Sequence, residues 1–423
     1  MLLVKPFLGC NLACKYCYEG NYRRKHNPKM DYNLDLVLKR MEEFKDLEMS
    51  LHGGECLAMP KKDVEKFLAK MFELTKKSGI QTNGTLIDEE YIEMFKKYKT
   101  DVGISFDGPG VLSEYRGPLT FNLDKTIERL VREGISTSII MVISKSNAGT
   151  DERLKKLKEY LLELDKLKIS GRINPCVDAP AYELGEKRLI EVYLDLAEFC
   201  FKNNLRWSPF TDIIHGLQGK PRVCIFMGCD FFSTASATVI VGDGSITNCM
   251  RTNKENILLR HPVKYNTREE ILAETPQEFF GCQGCKYFTA CYGGCPTAAI
   301  NNDWRNRTYL CSLWKALFQY YENILRFVEY PSILLPVQET CFSQDSEHLD
   351  HEDSSPVTEH GDAHGDIPHG DSSSPVPVTE HGDVHGDIPH GDSSSPVPVT
   401  EHGDVHGDIP HGDSHGDLPH SDQ

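Results

Sequence analysis

Cys10-Asn11-Leu12-Ala13-Cys14-Lys15-Tyr16-Cys17 sets three cysteines at C-x3-C-x2-C spacing, directly after the apolar run Leu2-Leu3-Val4-Lys5-Pro6-Phe7-Leu8. A run of that length reads as a buried strand, so the thiols stand on the loop at its carboxyl end. Three thiolates this close can hold three corners of one metal centre. A four-iron cluster with only three protein ligands keeps one iron open to a group that is not protein. A zinc knuckle or a set of redox thiols also uses cysteines at such spacing, and the triad alone does not separate these readings.

Outward from the triad, strands and helices alternate. Leu47–His52, Gly79–Asn83, Val102–Phe106, Ser136–Ile143 and Leu167–Ile173 read as strands. Between and after them, Asp63–Lys77, Asp88–Tyr98 (with Asp88 as N-cap), Leu123–Glu133, Asp151–Leu164 and Glu186–Phe201 read as helices. This alternation predicts a parallel sheet with helices outside, and about six units predict an open, partial (β/α)6 barrel of the TIM type. In parallel α/β sheets the chemistry sits at the carboxyl ends of the strands. The unusual residues fall there: Gly53-Gly54-Glu55, Gln81-Thr82-Asn83-Gly84, Ser105-Phe106-Asp107-Gly108-Pro109 and Asn174. Each is also ordinary turn chemistry; their meaning lies in sharing one rim with the cysteines.

Composition sets further bounds. The chain has 423 residues, 39% hydrophobic and 26% charged, enough for a sizeable core and two domains. No apolar stretch approaches the ~20 residues of a membrane span, and the N-terminal residues lack the features of a secretory signal. A cytoplasmic location is the expectation, and there fifteen cysteines point to metal in preference to disulfides. The net charge of −17 belongs to the C-terminal segment: residues 341–423 hold 19 of the 63 acidic residues and none of the 46 basic ones. The remainder is near neutral with no basic stripe, which gives no footprint for nucleic acid.

The triad with an aromatic before its last cysteine resembles the radical S-adenosylmethionine (SAM) enzymes. Gly53-Gly54-Glu55, Gln81 to Leu86 and Ser105 to Pro109 match the peptide-modifying branch in order and spacing, and the resemblance covers residues 1–330. It implies that Cys10, Cys14 and Cys17 hold a [4Fe-4S] cluster whose open iron chelates SAM. Reductive cleavage of SAM would then give a 5′-deoxyadenosyl radical that abstracts hydrogen from substrate. It further implies that Gly53, Gly54 and Glu55 hold the SAM amino group, that the backbone at Tyr16 meets the adenine, and that Gln81, Asn83 and Ser105 line the same cavity. Arg116 would pair with the SAM carboxylate; an arginine on a surface loop is the competing reading. Cys56, where the family more often has proline, is either a small buried residue or a reactive group facing substrate.

Cysteines return in residues 206–330 as Cys224, Cys229, Cys249, Cys282, Cys285, Cys291, Cys295 and Cys311, with Val239-Ile240-Val241 and the turn Gly242 to Ser245 reading as a hairpin. Eight thiols suit two four-ligand centres, iron–sulfur or zinc. The spacing resembles the SPASM extension of radical SAM peptide maturases. That resemblance implies one auxiliary cluster on Cys224, Cys229, Cys249 and Cys295 and another on Cys282, Cys285, Cys291 and Cys311, three [4Fe-4S] clusters in all. Sulfatase-maturing relatives carry an Asp after the cysteine corresponding to Cys249; here Met250 stands there, which favours another peptide modification. Asp212, His215 and Asp230 are acid–base candidates only through their nearness to the cluster segment. Trp314 to Tyr330 reads as a last helix, closed by Pro331.

From about residue 331 the composition changes, and Ser372 to Asp392 is one copy of a 21-residue repeat marked by His360, His381 and His402. The segment has few apolar residues, so disorder is expected. Thirteen of the seventeen histidines lie there, several beside Gly-Asp, and would suit nickel, cobalt or zinc. A neutral expanded repeat, a metal buffer and a substrate-like segment modified in cis remain three readings.

Three regions are thus expected: a radical SAM partial barrel (1–205), a SPASM region with two auxiliary clusters (206–330) and a repeat tail (331–423). The expected activity is hydrogen abstraction from a ribosomal precursor peptide or protein, giving a thioether or another crosslink. A low-potential donor such as flavodoxin or ferredoxin would supply electrons, with neither nucleic acid nor membrane as a partner. The alternative is a non-catalytic iron–sulfur or metal-handling protein with a His-rich arm.

Overall fold

A computed structural model of the chain describes residues 1–26, 31–220, 238–247, 249, 280–303 and 306–327. The chain divides into Met1–Asp345 and Ser346–Gln423, and all the described residues belong to the first. The tail, Pro331, Cys224, Cys229, Asp230 and Met250 therefore lie outside the described residues.

The strands in chain order are β1 (Leu2–Phe7), β2 (Met49–Gly53), β3 (Ser78–Thr82), β4 (Thr100–Ser105), β5 (Thr137–Ile143), β6 (Gly171–Pro175), β7 (Trp207–Ser208), β8 (Thr238–Val241) and β9 (Ile246–Thr247). They form one sheet in the order β7-β6-β5-β4-β3-β2-β1-β8-β9. Every pairing from β7 to β8 is parallel, and only β8–β9 is antiparallel. The order is linear, so the sheet is open, as the count of about six units predicts.

The helices are α1 (Tyr18–His26), α2 (Leu34–Met41), α3 (Lys61–Thr75), α4 (Glu89–Lys97), α5 (Leu123–Arg132), α6 (Lys145–Ala148), α7 (Asp151–Lys166), α8 (Glu186–Lys202), α9 (Phe210–Leu217), α10 (Phe288–Cys291) and α11 (Cys311–Phe327). Their apolar faces follow helical spacing. Val64, Phe67, Leu68 and Met71 of α3 are buried, as are Leu154, Leu157, Leu161 and Leu164 of α7. Each such side chain contributes about 1.5–3 kcal/mol on burial. Asp88 caps α4 as expected, its Oδ1 accepting from Tyr91 N at 3.1 Å. Among the described residues no helix is long and apolar enough to cross a membrane.

Several element boundaries differ from the sequence reading by one or two residues, among them Met49 in place of Leu47 for β2 and Thr100 in place of Val102 for β4, and two differ by more. The sixth strand starts at Gly171, not Leu167, because α7 continues to Lys166 and Lys168 turns the chain with φ of 58°. The last helix begins at Cys311, not Trp314. The expected hairpin is present as β8–β9, and β8 also pairs with β1 in register from Leu2↔Thr238 to Lys5↔Val241. The later cysteine region thereby shares a sheet with the strand that presents the first three cysteines.

The two faces of the sheet differ. Val4, Leu51, Ile80, Val102, Ile104, Ile139 and Ile173 belong to the core shared with the helices. Residues one step along each strand face the other way. In the register Gln81↔Gly103, Ser105↔Ile140, Ile140↔Arg172 and Val142↔Asn174, polar groups accumulate on that face. Lys5 and His52 lie on it as well, one position beyond the Val4↔Leu51 pair.

Candidate active site and a four-cysteine pocket

The rim at the carboxyl ends of β1–β5 is drawn together by backbone as much as by side chains. Gly54 N donates to Phe7 O at 3.0 Å and Glu55 N to Gly9 O at 2.8 Å. A Cβ on Gly53 would lie 2.7 Å from Phe7 O, and one on Gly54 only 2.3 Å from Leu8 O. Glycine at both positions is what lets the end of β2 lie against the loop entering the cysteines.

Cys10, Cys14 and Cys17 are free, half-buried thiols on that loop. Cys10 Sγ lies 3.4 Å from Leu12 N, Cys17 Sγ 3.3 Å from Gly20 N, and Cys14 Sγ 3.8 Å from Arg116 O. Burial pushes the Cys14 thiol up to about 11 against the opposing charge of Arg116, and Cys17 and Cys10 push it further in the same direction. Burial raises Cys10 as well. Cys10 and Cys14 disfavour ionisation on their own, and a cationic centre held by the triad would stabilise the thiolates.

The residues expected around SAM surround this loop. Glu55 is 1% exposed, and its carboxylate accepts from Leu57 N (3.0 Å), Thr82 Oγ1 (2.7 Å) and Asn83 N (2.6 Å). Burial raises its pKa, and these bonds hold it back. The Glu55 side chain thus clamps the end of β2 to the end of β3. Asn83 Nδ2 donates to Asn11 Oδ1 at 2.9 Å, Asn11 Nδ2 to Thr85 Oγ1 at 2.9 Å, and Thr85 Oγ1 to Asn83 Oδ1 at 2.7 Å. This closed ring fixes the cysteine loop to the loop after β3. Gln81 Nε2 donates to Ser105 Oγ at 2.9 Å, joining β3 to β4.

Arg116 is buried at 8% exposure, which overturns the surface-loop reading. Its NH2 donates to Asp107 Oδ1 at 2.9 Å, and its guanidinium carbon sits 5.5 Å from the centre of the Tyr16 ring. Asp107 is fully buried and also accepts from Val142 N (2.9 Å) and from the Tyr16 hydroxyl. Arg116 Nε, also buried, has no partner among the described residues. Lys15 N donates to Tyr115 O at 2.8 Å, a second tie between the two loops. Sequence reasoning quoted Asp107 as part of a motif but gave it no role, because Asp before Gly is also what a turn uses. Lys5, His52 and Glu19 escaped it too. Lys5 and Glu19 form a buried ion pair beneath the cysteine loop. Burial and the Lys5 charge drive His52 down to about 3, leaving it neutral at physiological pH.

Cys56 is fully buried, with Sγ 3.4 Å from Gln81 O, and is a small core residue. The acid–base candidate Asp212 accepts from Ser208 Oγ within its own element pair and is not joined to the rim by that bond.

The later cysteines are also brought together. Cys282, Cys285, Cys291 and Cys311 line one pocket of about 310 Å³, counted out to open solvent. Burial pushes Cys282 up to about 11, and Cys285 and Cys311 add to it; Cys291 is driven higher by burial and by the other three thiols. Arg307 and Lys315 act in the opposite direction on Cys282 and Cys311. Among the described residues no group of three or more His, Cys, Asp or Glu side chains closes on a single-ion site. Cys295 is not part of that lining; it is buried, 3.2 Å from Thr297 Oγ1. Cys249 is half-buried.

Comparison with known proteins agrees with this geometry. Residues 4–157 match the family model described as the Radical SAM superfamily. A cysteine-type anaerobic sulfatase-maturating enzyme of Clostridium perfringens is 26% identical over 364 residues, 75% of this chain and 95% of the relative. A serine-type enzyme of the same description from Bacteroides thetaiotaomicron is 26% identical over 384 residues, 78% of this chain and 90% of the relative. A solved structure described as native anSMEcpe with bound AdoMet and Cp18Cys peptide superposes with a TM-score of 0.59 at 23% identity, covering 77% of this chain and 98% of that one. The likeness shows the same fold.

Proposed function

Because this chain is a radical SAM enzyme, we propose that it modifies a ribosomally made peptide or protein by hydrogen abstraction, and that the modification is not sulfatase maturation. When bound, a reduced [4Fe-4S] cluster and SAM supply a 5′-deoxyadenosyl radical, and that hard chemistry belongs to the cofactors. Cys10, Cys14 and Cys17 would hold the cluster. Gly53, Gly54, Glu55, Tyr16, Gln81, Asn83, Ser105 and Arg116 would surround SAM. The chain's own residues do the positioning. The Gly53-Gly54 pair allows close approach of two strand ends. The Glu55 carboxylate and the Asn11–Asn83–Thr85 ring fix the loops that meet there. Asp107 holds Tyr16 and Arg116 in one orientation.

The observation that carries this reading is the convergence of the three-thiol loop with the segments that follow β2, β3 and β4 on one rim. Relatives described as sulfatase-maturating support a polypeptide substrate. Met250, where such enzymes carry an Asp after the matching cysteine, argues for another product, with a thioether or other crosslink as the reading.

The later cysteines fit two auxiliary [4Fe-4S] clusters. The four-cysteine pocket supports the assignment of Cys282, Cys285, Cys291 and Cys311 to one of them, and Cys224, Cys229, Cys249 and Cys295 would hold the other. A flavodoxin or ferredoxin would be the donor, and the His-rich tail would take nickel, cobalt or zinc. Anaerobic reconstitution tests the whole: about twelve irons per chain are expected, with 5′-deoxyadenosine released on reduction with SAM. Zinc recovered in place of iron and sulfide, or no 5′-deoxyadenosine at full iron loading, overturns the reading.

A further inference from the structure

The pocket ringed by Cys282, Cys285, Cys291 and Cys311 has a wall that the four ligands do not explain. Trp314 lies in α11, one turn after Cys311, and lines the pocket at 1% exposure. Its indole N–H has no acceptor among the described residues. A buried indole N–H ordinarily finds one, and each orphan of that kind calls for an account. Trp314 lines the pocket, and sulfurs of a bound cluster there would accept such a hydrogen bond; bonds of that kind are among the features that set cluster potential. Arg307 and Lys315 line the same pocket. The rim triad differs: Cys14 Sγ lies 3.8 Å from the Arg116 carbonyl oxygen, and the Arg116 guanidinium is paired with the Asp107 carboxylate.

We propose that Trp314 is a positioning residue for the cluster held by Cys282, Cys285, Cys291 and Cys311, donating its indole N–H to a cluster or ligand sulfur, and that Arg307 and Lys315 add to the same effect by favouring the reduced, more negative state. This rests on the reading of the pocket as an iron–sulfur site. Donated hydrogen bonds and nearby cations both stabilise added negative charge, so the three residues together raise the potential of this cluster. Lys315 is exposed, so its share is screened by salt, whereas the indole bond is internal and is not.

The test uses the reconstituted full chain carrying Cys10→Ala, Cys14→Ala and Cys17→Ala, so that only auxiliary centres titrate. Potentiometry followed by electron paramagnetic resonance gives their midpoints. Trp314→Phe, at unchanged iron and sulfide, is expected to lower one midpoint by a tenfold change in the reduced-to-oxidised ratio, ~59 mV for one electron. Arg307→Gln and Lys315→Gln lower the same midpoint, the Lys315 shift shrinking at high salt. Unmoved midpoints in Trp314→Phe at full iron overturn the inference and leave the cluster reading standing. If Trp314→Phe sheds iron, the two cation variants decide, and unmoved midpoints in both overturn it. Unchanged iron after replacing all four pocket cysteines by Ala overturns the pocket reading and this inference with it.

Discussion

The rim triad and the four-cysteine pocket use the same side chain in opposite settings. On the rim, three thiols stand among groups that are polar and drawn from four strand ends: Asn83 and Asn11, the Glu55 clamp, the Gln81–Ser105 bond and the Asp107–Arg116–Tyr16 knot. In the pocket, four thiols sit against aromatic rings, with Tyr287 stacked on Phe318 at 5.1 Å and 18°. Three protein ligands leave a corner for a polar small molecule, and a polar shell is what such a molecule needs. Four ligands with a wall of aromatic rings, bordered by Arg307 and Lys315, complete a centre and shield it. Donor count and shell chemistry thus say the same thing at each site.

Removing thiols breaks the comparison most directly. Replacing Cys10, Cys14 and Cys17 together with Ala is expected to bring SAM cleavage to background and to remove roughly four of about twelve irons, while the remaining iron stays bound. Product analysis and iron and sulfide assays check this. Loss of all the iron would mean that the sites are not independent.

Next in size is the knot at Asp107. Asp107→Ala leaves Arg116 charged in a buried site and frees the Tyr16 hydroxyl and Val142 N, so a loss of roughly 3–5 kcal/mol in stability is expected. Denaturant melts report the stability, and equilibrium binding reports weaker SAM affinity. The double variant Asp107→Asn with Arg116→Met removes both charges and is expected to recover part of the stability but not the SAM affinity. Glu55→Gln is milder. The amide keeps the shape but turns a donor toward Asn83 N or Thr82, and about 1–3 kcal/mol is the expected cost.

Much of this was legible in the sequence because period and spacing are local properties. The strands from Leu2 to Ile143, the Asp88 cap and the rim placement of the motifs all follow from residues within a few positions of each other. The side-chain knot at Asp107 was not legible. Its Tyr16–Asp107 bond alone spans 91 positions, and each of its members has an ordinary local reading. The pairing of β8 with β1 spans more than 230 residues and comes from sheet edges that no local pattern encodes. The pocket of four cysteines was anticipated as a ligand set through resemblance, whereas Trp314, Arg307 and Lys315 around it were not, since their role depends on what the loop from Cys282 to Cys311 folds against.

The smallest effect lies beneath the rim, where Lys5 and His52 share the polar face of the sheet, and its sign can be worked out. His52 is driven down to about 3, first by burial and then by the Lys5 charge, whereas an unfolded histidine titrates near 6.5. Between those values the unfolded chain binds the extra proton, so stability rises with pH in that window. The contribution is fully present above about pH 6.5 and is lost as pH falls toward 3. Over the span from pH 6.5 to 5.0 this amounts to at most about 2 kcal/mol. His52→Gln removes the titrating group, so its urea midpoint is expected to fall less than that of the parent between pH 7.5 and 5.0. The rim triad sits above this pair, and the four-cysteine pocket, built on α10 and α11, has no such pair among its lining residues. Equal falls in parent and variant would show that His52 titrates as an ordinary surface group, and the polar face of the sheet would then be open to water up to the cysteine loop.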